Sequence, residues 1–218
     1  MNTDMKNKRI PCGDPTLSAD RAFCEMLKHA QESLVSRSPE DIAGKAGVEY
    51  VKETSSFRVK SLSQMIDIEL PGFEIRQKLN HWHHLLVLHY LNLADGMPVS
   101  PEWISFGELK DGLIRGTKFD HTVNEQLGSF FGALSQEKAE DICRLLGAEI
   151  AESRADLCAI FPLLPRYPIM LNLWFGDEEF PASARLLVQK NADHYLTVED
   201  AVTAGEFIIS LCKEAKLQ

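Results

Sequence analysis

The feature that most constrains the fold is an alternation of apolar and charged residues between positions 57 and 70. The first half of the stretch alternates apolar with basic residues, and the second half alternates apolar with acidic residues. Because successive side chains of a β-strand point to opposite faces, the pattern predicts two strands that each have one apolar face. A hairpin that pairs Lys60 with Asp67 satisfies both faces at once and predicts a loop at residues 62–65.

Helical patterns surround this hairpin. Residues 76–94 are apolar on nearly all sides from their middle onward, which predicts a central, buried helix. Cap residues and apolar periodicity predict further helices. Four of these helices begin at Ser18, Ser38, Ser100 and Thr197, and two more span residues 122–133 and 136–150. Strands are predicted near residues 157–161, 169–175 and 184–189. The order predicts an α+β fold in which an antiparallel or mixed sheet, made of the N-terminal hairpin and a C-terminal three-strand meander, packs against several helices.

Length and composition are those of a globular protein. The chain has 218 residues, of which 44% are hydrophobic and 25% charged, so it can bury a sizeable core. Proline and glycine interrupt every pattern in residues 1–16. We therefore expect a flexible N-terminal tail there and a single α+β domain over residues 17–218.

The charge balance argues against nucleic acid as a partner. The formal net charge is −9, and acidic residues are concentrated between Asp177 and Glu206. A small basic cluster, Lys6, Lys8 and Arg9, lies in the polar tail. No apolar segment resembles a signal peptide, and the longest apolar run, residues 85–93, is too short to span a bilayer. These features predict a cytoplasmic protein that does not bind membranes.

Five cysteines are widely spaced along the chain. They are Cys12, Cys24, Cys143, Cys158 and Cys212. They form no CxxC pair, and most have apolar neighbours, so we expect reduced, packed thiols. A zinc or iron–sulfur site built from cysteine alone is not expected.

The candidate ligand site is in the last quarter of the chain, where polar and aromatic residues are densest. The residues are Trp174, Asp177, Glu178, Glu179, His194, Tyr195 and Glu199. Tryptophan and tyrosine can line an apolar pocket, with acidic groups and a histidine at its mouth. Each residue also has a purely structural interpretation, because a strand tryptophan is often core and an acidic loop is often solvated.

A second candidate is a metal site at His81 and His84. Residues three apart on a helix share a face, and two imidazoles at that spacing suit zinc, but a catalytic zinc site needs a third ligand. A carboxylate of the acidic loop would have to supply it. His89 is expected to be a satisfied core histidine. The chain contains neither an HExxH nor a GxSxG motif.

Two segments resemble a known family. One is the run from Trp103 to Leu109 followed by Gly112 and Phe119, and the other comprises Pro168, Trp174, the stretch from Asp177 to Ser183, Tyr195 and Glu199. Both are similar to the prokaryotic domain-of-unknown-function family DUF3786, and the resemblance covers roughly residues 40–212. It implies one domain but no established activity. It also implies, by analogy with members joined to cysteine-rich iron–sulfur segments, an association with a redox or corrinoid system, although this chain has no cysteine cluster.

These observations leave two main functional hypotheses. The first is an accessory protein that binds a small molecule or a protein partner in a cleft near residues 174–195. The alternative is a metal-dependent, hydrolytic enzyme in which His81, His84 and an acidic-loop carboxylate bind the metal. An oligomeric scaffold is a third. The sequence identifies no cofactor.

Overall fold

The computed structural model describes residues 18–215, with side chains described from Arg21 onward. Within that range the chain forms six α-helices and nine β-strands. The helices are α1 (Ser18–Val35), α2 (Pro39–Ala46), α3 (His81–Leu93), α4 (Arg115–Gly132), α5 (Gln136–Leu145) and α6 (Val198–Ala215). The strands are β1 (Glu49–Val51), β2 (Ser56–Ser61), β3 (Gln64–Glu69), β4 (Glu74–Ile75), β5 (Trp103–Ile104), β6 (Glu149–Ala151), β7 (Leu157–Leu164), β8 (Tyr167–Trp174) and β9 (Ser183–Gln189). The predicted tail, Cys12 and the basic cluster lie outside the described residues.

The strands form two antiparallel sheets. Strands β1 to β4 make a four-stranded sheet in sequential order, and the other five strands are ordered β5-β9-β8-β7-β6. The predicted hairpin belongs to the first sheet and the predicted meander to the second. The α+β class is therefore confirmed. Buried side chains from both sheets and from all six helices belong to one hydrophobic cluster. The division into a tail and one domain stays a prediction.

The predicted hairpin forms from β2 and β3, but its predicted register is wrong by two residues. Lys60 lies opposite Met65 instead of Asp67, and Asp67 lies opposite Arg58. The Nε of Arg58 is 3.5 Å from Oδ1 of Asp67. A shift of two residues keeps each side chain on its predicted face, so the alternation could not distinguish the two registers.

The hairpin turn is correspondingly shorter than predicted. It consists of Leu62 and Ser63, and Leu62 has a left-handed φ of 53°. The side chain of Leu62 is buried, and its N–H donates to the carbonyl of Pro162 at 2.8 Å. A contact with the second sheet therefore stabilises a backbone conformation that leucine rarely adopts.

The central helix is confirmed but begins later than predicted. It starts at His81, after Asn80, whose side-chain oxygen accepts a hydrogen bond from the N–H of Trp82. Its middle is buried: Val87, Leu88, Tyr90 and Leu91 have no exposed surface. The opposite side is different, because Trp82 and Leu93 are 50% and 39% exposed. That side faces an open groove.

Two predicted helices are wrong at least in part. The segment after Ser100 is strand β5, in which Trp103 lies opposite Gln189. The predicted helix over residues 136–150 ends at Leu145, and β6 follows. Gly147, at a φ of 86°, donates its N–H to the carbonyl of Arg144 and ends the helix.

The cap of the last helix is confirmed. The N–H of Asp200 donates to Oγ1 of Thr197 at 3.1 Å, and that hydroxyl donates to Oδ2 of Asp200 at 2.8 Å. Among residues 18–215, no helix combines the length and the apolar character needed to cross a membrane.

The cysteine prediction holds in part. Cys143, Cys158 and Cys212 are free and buried, as expected. Burial raises the pKa of the Cys143 thiol to about 12, so this group is protonated and unreactive at neutral pH. Cys24 is disulfide-bonded, so the prediction of a reduced thiol is wrong at that position.

Candidate functional site

A groove with two tryptophans lies where β5, β8 and β9 meet α4. Its volume is about 850 Å³, which suits a small organic ligand. We call it the tryptophan groove and define it by six of its lining residues, Trp103, Asp120, His121, Asn124, Trp174 and Arg185.

Strand pairing sets the positions of the two tryptophans. Trp103 lies opposite Gln189 at one end of β9, and Trp174 lies opposite Ser183 at the other end. Arg185 stands on β9 between these two pairs. The two-residue period of a strand places Arg185 on the same face as Ser183 and Gln189, while its neighbours on β9 are buried in the core.

Arg185 is held in place by an aromatic ring. Its Cζ lies 5.8 Å from the centre of the Trp174 ring, within the range of a cation–π interaction. The residue is exposed and forms no salt bridge with any side chain in residues 21–215. A guanidinium donates in a planar fork that matches carboxylate and phosphate groups. The groove thus contains a positioned cation that can receive an anionic group.

Asp120 fixes the wall of the groove that follows β5. Its Oδ1 accepts a hydrogen bond from the N–H of Phe106 at 3.1 Å, and its Oδ2 accepts one from the N–H of Gly107 at 2.9 Å. These N–H groups begin a 3₁₀ turn, Phe106–Glu108, where they have no partner within the turn. Glu108 closes the turn by accepting hydrogen bonds from the N–H and the hydroxyl of Ser105, both at 2.9 Å. The carboxylates of Asp120 and Glu108 therefore both accept hydrogen bonds from backbone N–H groups.

Helix α4 closes the other side by running close to β9. The Oδ1 of Asn124 accepts a hydrogen bond from the N–H of Ala184 at 3.0 Å. Gly128 and Gly132 allow the close approach, because a Cβ at either position would lie less than 3.0 Å from an atom of Ala182. Helix α4 thus covers the part of the β9 edge that does not pair with β5.

The predicted acidic loop is solvated. Asp177, Glu178 and Glu179 are all exposed. The Oδ1 of Asp177 accepts hydrogen bonds from the N–H groups of Glu179 and Phe180, both at 2.8 Å. These hydrogen bonds lower the pKa of Asp177, and the one from the N–H of Phe180 has the largest effect. Asp177 therefore shapes a turn, and Trp174 is the one predicted ligand residue that lines the tryptophan groove.

The remaining predicted ligand residues lie beyond the other end of β9. The Nδ1 of His194 is 2.6 Å from Oδ2 of Asp95, and this hydrogen bond lowers the pKa of Asp95. Tyr195 is buried, stacks on Tyr90 and donates its hydroxyl to the carbonyl of Met97. Glu199 lines a different groove. The structure does not bring these residues together with Trp174 in one cleft.

The histidine pair does not acquire a third metal ligand in the described part of the chain. His81 stacks on Phe23 at 4.7 Å between ring centres. His84 is buried, and burial, followed by the charge of His81, lowers its pKa to about 4. No group of three or more His, Cys, Asp or Glu residues within residues 18–215 has the geometry of a metal site. The metal-dependent alternative therefore gains no support from the geometry.

Of the six residues that define the groove, the sequence analysis named Trp174 as a ligand residue and missed the other five, Trp103, Asp120, His121, Asn124 and Arg185. Three of them belong to α4. Because α4 and β9 are far apart in sequence, no local pattern indicates that these two elements are in contact. Arg185 could have been found, because the alternation in the predicted strand at residues 184–189 places it on the face opposite to the buried Ala184 and Leu186.

Comparison with known proteins identifies a family but no activity. A family model described as "Domain of unknown function (DUF3786)" matches residues 38–210. No curated protein and no solved structure matches the chain. The matched range includes every residue that defines the tryptophan groove.

Proposed function

Because the chain belongs to the DUF3786 family, whose description assigns no activity, we propose a function from geometry: it is an accessory protein that binds a small organic anion in the tryptophan groove. The observation that carries the proposal is Arg185, an exposed guanidinium oriented by Trp174 in a groove of about 850 Å³ and without a carboxylate partner in residues 21–215. A cation held in this way can bind an anion with little ordering cost.

The surroundings of Arg185 favour a ligand with a flat or apolar part. Trp103, Trp174 and Leu187 supply apolar surface, and His121 and Asn124 supply polar groups at the rim. Small-molecule sites commonly combine such apolar walls with a few polar groups that fix orientation. The carboxylates of Glu108 and Asp120 form no salt bridge with Arg185, and both accept hydrogen bonds from the segment at residues 105–107.

The two segments that resemble the family also support this location. The segment from Trp103 to Leu109 supplies one wall of the groove, and Trp174 and Ser183 of the C-terminal segment supply another. These segments are about seventy residues apart in sequence. Their meeting at one groove is easier to explain if the groove is used than if each segment serves only its own local structure.

We propose a small-molecule partner and neither nucleic acid nor a membrane. The net charge of −9 supports the exclusion of nucleic acid. An association with a redox or corrinoid system remains a hypothesis that rests on the family resemblance alone.

The test uses a W82F background, so that Trp103 and Trp174 report the groove by fluorescence. A panel of small carboxylates and organic phosphates is titrated into this protein and into W82F carrying Arg185→Ala. Loss of the charged hydrogen bond from Arg185 to the ligand should weaken binding about tenfold or more. Arg76→Ala, which removes an exposed arginine paired with Glu69 on the other sheet, is the matched control and should change nothing. Binders that respond equally to both substitutions, or a panel without a binder, would refute the proposal.

We also propose that the protein resides in the cytoplasm. Three free, buried cysteines support this compartment, because unpaired thiols are typical of reducing environments. A disulfide at Cys24 is less usual there. Cell fractionation with a marker for each compartment tests the assignment, and recovery of the protein outside the cytoplasmic fraction would contradict it.

A further inference from the structure

We propose that a second groove, formed by α1, α3 and α6, binds a small primary amine with an apolar chain. We call it the helix groove and define it by Met26, Trp82, His89, Leu93, Glu199 and Thr203. Its volume is about 400 Å³, which suits a ligand of a few to about ten heavy atoms. It is separate from the tryptophan groove and shares no lining residue with it.

The walls of the helix groove are apolar and open to solvent. Trp82, Met26 and Leu93 are 50%, 40% and 39% exposed and belong to the larger exposed apolar side chains of residues 21–215. Trp82 and Leu93 lie along one side of α3 with His89 between them. Three such side chains on one groove form an apolar surface that a hydrocarbon chain would cover favourably.

A fixed imidazole lies within the groove. The Nδ1 of His89 is 2.7 Å from Oδ1 of Asp200, and Oδ2 of Asp200 accepts the hydroxyl of Thr197 at 2.8 Å. His89 was expected to be a core residue, but its side chain is 29% exposed and lines the groove. Because Nδ1 is engaged by Asp200, Nε2 is the nitrogen that remains for a ligand.

The charges around this nitrogen select a cation. The residues that line the groove include the carboxylates of Glu199 and Asp200 but no lysine and no arginine. Glu199 is exposed, and its carboxylate forms no salt bridge with a side chain in residues 21–215. An anionic ligand would be repelled here, whereas a cationic group gains a carboxylate partner.

A primary ammonium fits this set of groups. It has three N–H donors and no acceptor, and the groove offers the carboxylate of Glu199, the Nε2 of His89 and the Trp82 indole. The attached chain can then pack against Met26 and Leu93. A divalent metal is a poorer fit, since no three His, Cys, Asp or Glu side chains in residues 18–215 converge as ligands.

The test compares three probes of the same length, namely hexylamine, hexan-1-ol and hexanoate, with the indole N–H of Trp82 as the reporter in ¹H–¹⁵N spectra. The Trp82 signal is assigned with Trp82→Phe. Hexylamine should shift the Trp82 signal and bind about fivefold more tightly than hexan-1-ol, and hexanoate should not bind, because an exposed ion pair and a cation–π contact together contribute about 1 kcal/mol.

Glu199→Gln, which removes the ion pair but keeps the cation–π contact, should lower the affinity for hexylamine about threefold and leave that for hexan-1-ol unchanged. The matched control is Glu206→Gln, which removes the same charge from an exposed position two turns along α6 and should leave both affinities unchanged. Equal affinity for the amine and the alcohol would overturn the proposal, because the groove would then be merely apolar. An equal effect of the two glutamine variants, or the absence of any Trp82 shift with hexylamine, would also overturn it.

Discussion

The Nε2 of His83 lies 2.7 Å from Oγ of Ser61, and this contact joins the central helix to both sheets. The Ser61 hydroxyl donates to the carbonyl of Leu163 at 2.6 Å, so its oxygen is the acceptor toward His83 and the Nε2 of His83 carries the proton. Ser61 ends β2 and Leu163 lies in β7. The three residues are thus a buried connection between α3, the four-stranded sheet and the five-stranded sheet.

The buried histidines predict a loss of stability in mild acid. Burial, followed by the charge of a neighbouring histidine, lowers the pKa of His83 and of His84 from 6.5 to about 4. Both rings are therefore neutral in the folded protein, whereas the unfolded chain takes up their protons below pH 6.5. Their contribution is fully present above that pH and is lost as the pH falls toward 4. It amounts to roughly 2 kcal/mol for each ring between pH 7 and pH 5.

Replacement of His84 isolates this effect. His84 is buried, and its Nε2 has no hydrogen-bond partner in residues 18–215, so His84→Leu removes a desolvated polar group. Urea unfolding at pH 7 and pH 5 should show that the variant loses roughly 2 kcal/mol less than the wild type over this interval. The control is His29→Gln, at an exposed position of α1, which should behave like the wild type. An unchanged pH dependence in His84→Leu would contradict the prediction.

Gly116 is a position where even one methyl group does not fit. A Cβ there would lie 2.0 Å from the carbonyl oxygen of Phe106, an atom of the backbone. Gly116→Ala should therefore destabilise the protein by roughly 1–3 kcal/mol. Gly44 is the matched control, because its Cβ would meet nothing within 4 Å and it lies in helix α2. Gly44→Ala should stabilise the fold by about 0.5–1 kcal/mol in the same urea experiment. Equal effects of the two substitutions would be inconsistent with this packing.

Asp120 is expected to couple the fold to the tryptophan groove. Asp120→Ala leaves the N–H groups of Phe106 and Gly107 without their acceptors, which should cost roughly 1–3 kcal/mol of stability. The amide signals of these two residues should shift, and any anion bound at Arg185 should bind more weakly because the wall of the groove moves. Asp141→Ala, at an exposed position of α5, should change neither property. Unaltered Phe106 and Gly107 signals in Asp120→Ala would show that the carboxylate does not hold this turn.

Thr197 caps α6 and orients Asp200. Thr197→Val keeps the shape of the side chain but removes the oxygen that accepts the N–H of Asp200, so it should destabilise the protein by about 1 kcal/mol. The His89 ring, held by Asp200, should become more mobile, which broadened imidazole signals in NMR spectra would show. Thr203→Val is the control, since the Thr203 hydroxyl only donates to the carbonyl of Glu199 within the helix. A destabilisation in Thr203→Val as large as that in Thr197→Val would argue against the capping role.

Local patterns predicted most elements, and the errors have specific physical causes. The strands near residues 157–161, 169–175 and 184–189 and the cap at Thr197 could be predicted because periodicity and capping chemistry are local. Ser100 carries the marks of a helix cap, yet its N–H donates to the Asn191 side chain, and the following residues pair with β9. Tertiary pairing overrode a local preference there, as it commonly does for short segments.

The candidate sites depend on tertiary contacts even more than the helices and strands do. Trp174 could be selected from its residue type and surroundings in the sequence, but Tyr195, which looked equally suitable, is buried against Tyr90. Whether an aromatic side chain is core or surface depends on the element that packs on it. The Arg185–Trp174 contact and the His89–Asp200 pair join neighbouring strands and separate helices, and no local pattern specifies them.

The sequence by itself determined most of the longer strands and helices, which face of each is apolar, and therefore the α+β class, because these properties depend on residues two to four positions apart. The tertiary structure decided the hairpin register, the strand character of residues 103–104 and the positions of both grooves. Each of these depends on contacts between distant segments, such as Leu62 with Pro162, Asn124 with Ala184 and His89 with Asp200. The energies of such contacts become available only once the segments have packed together.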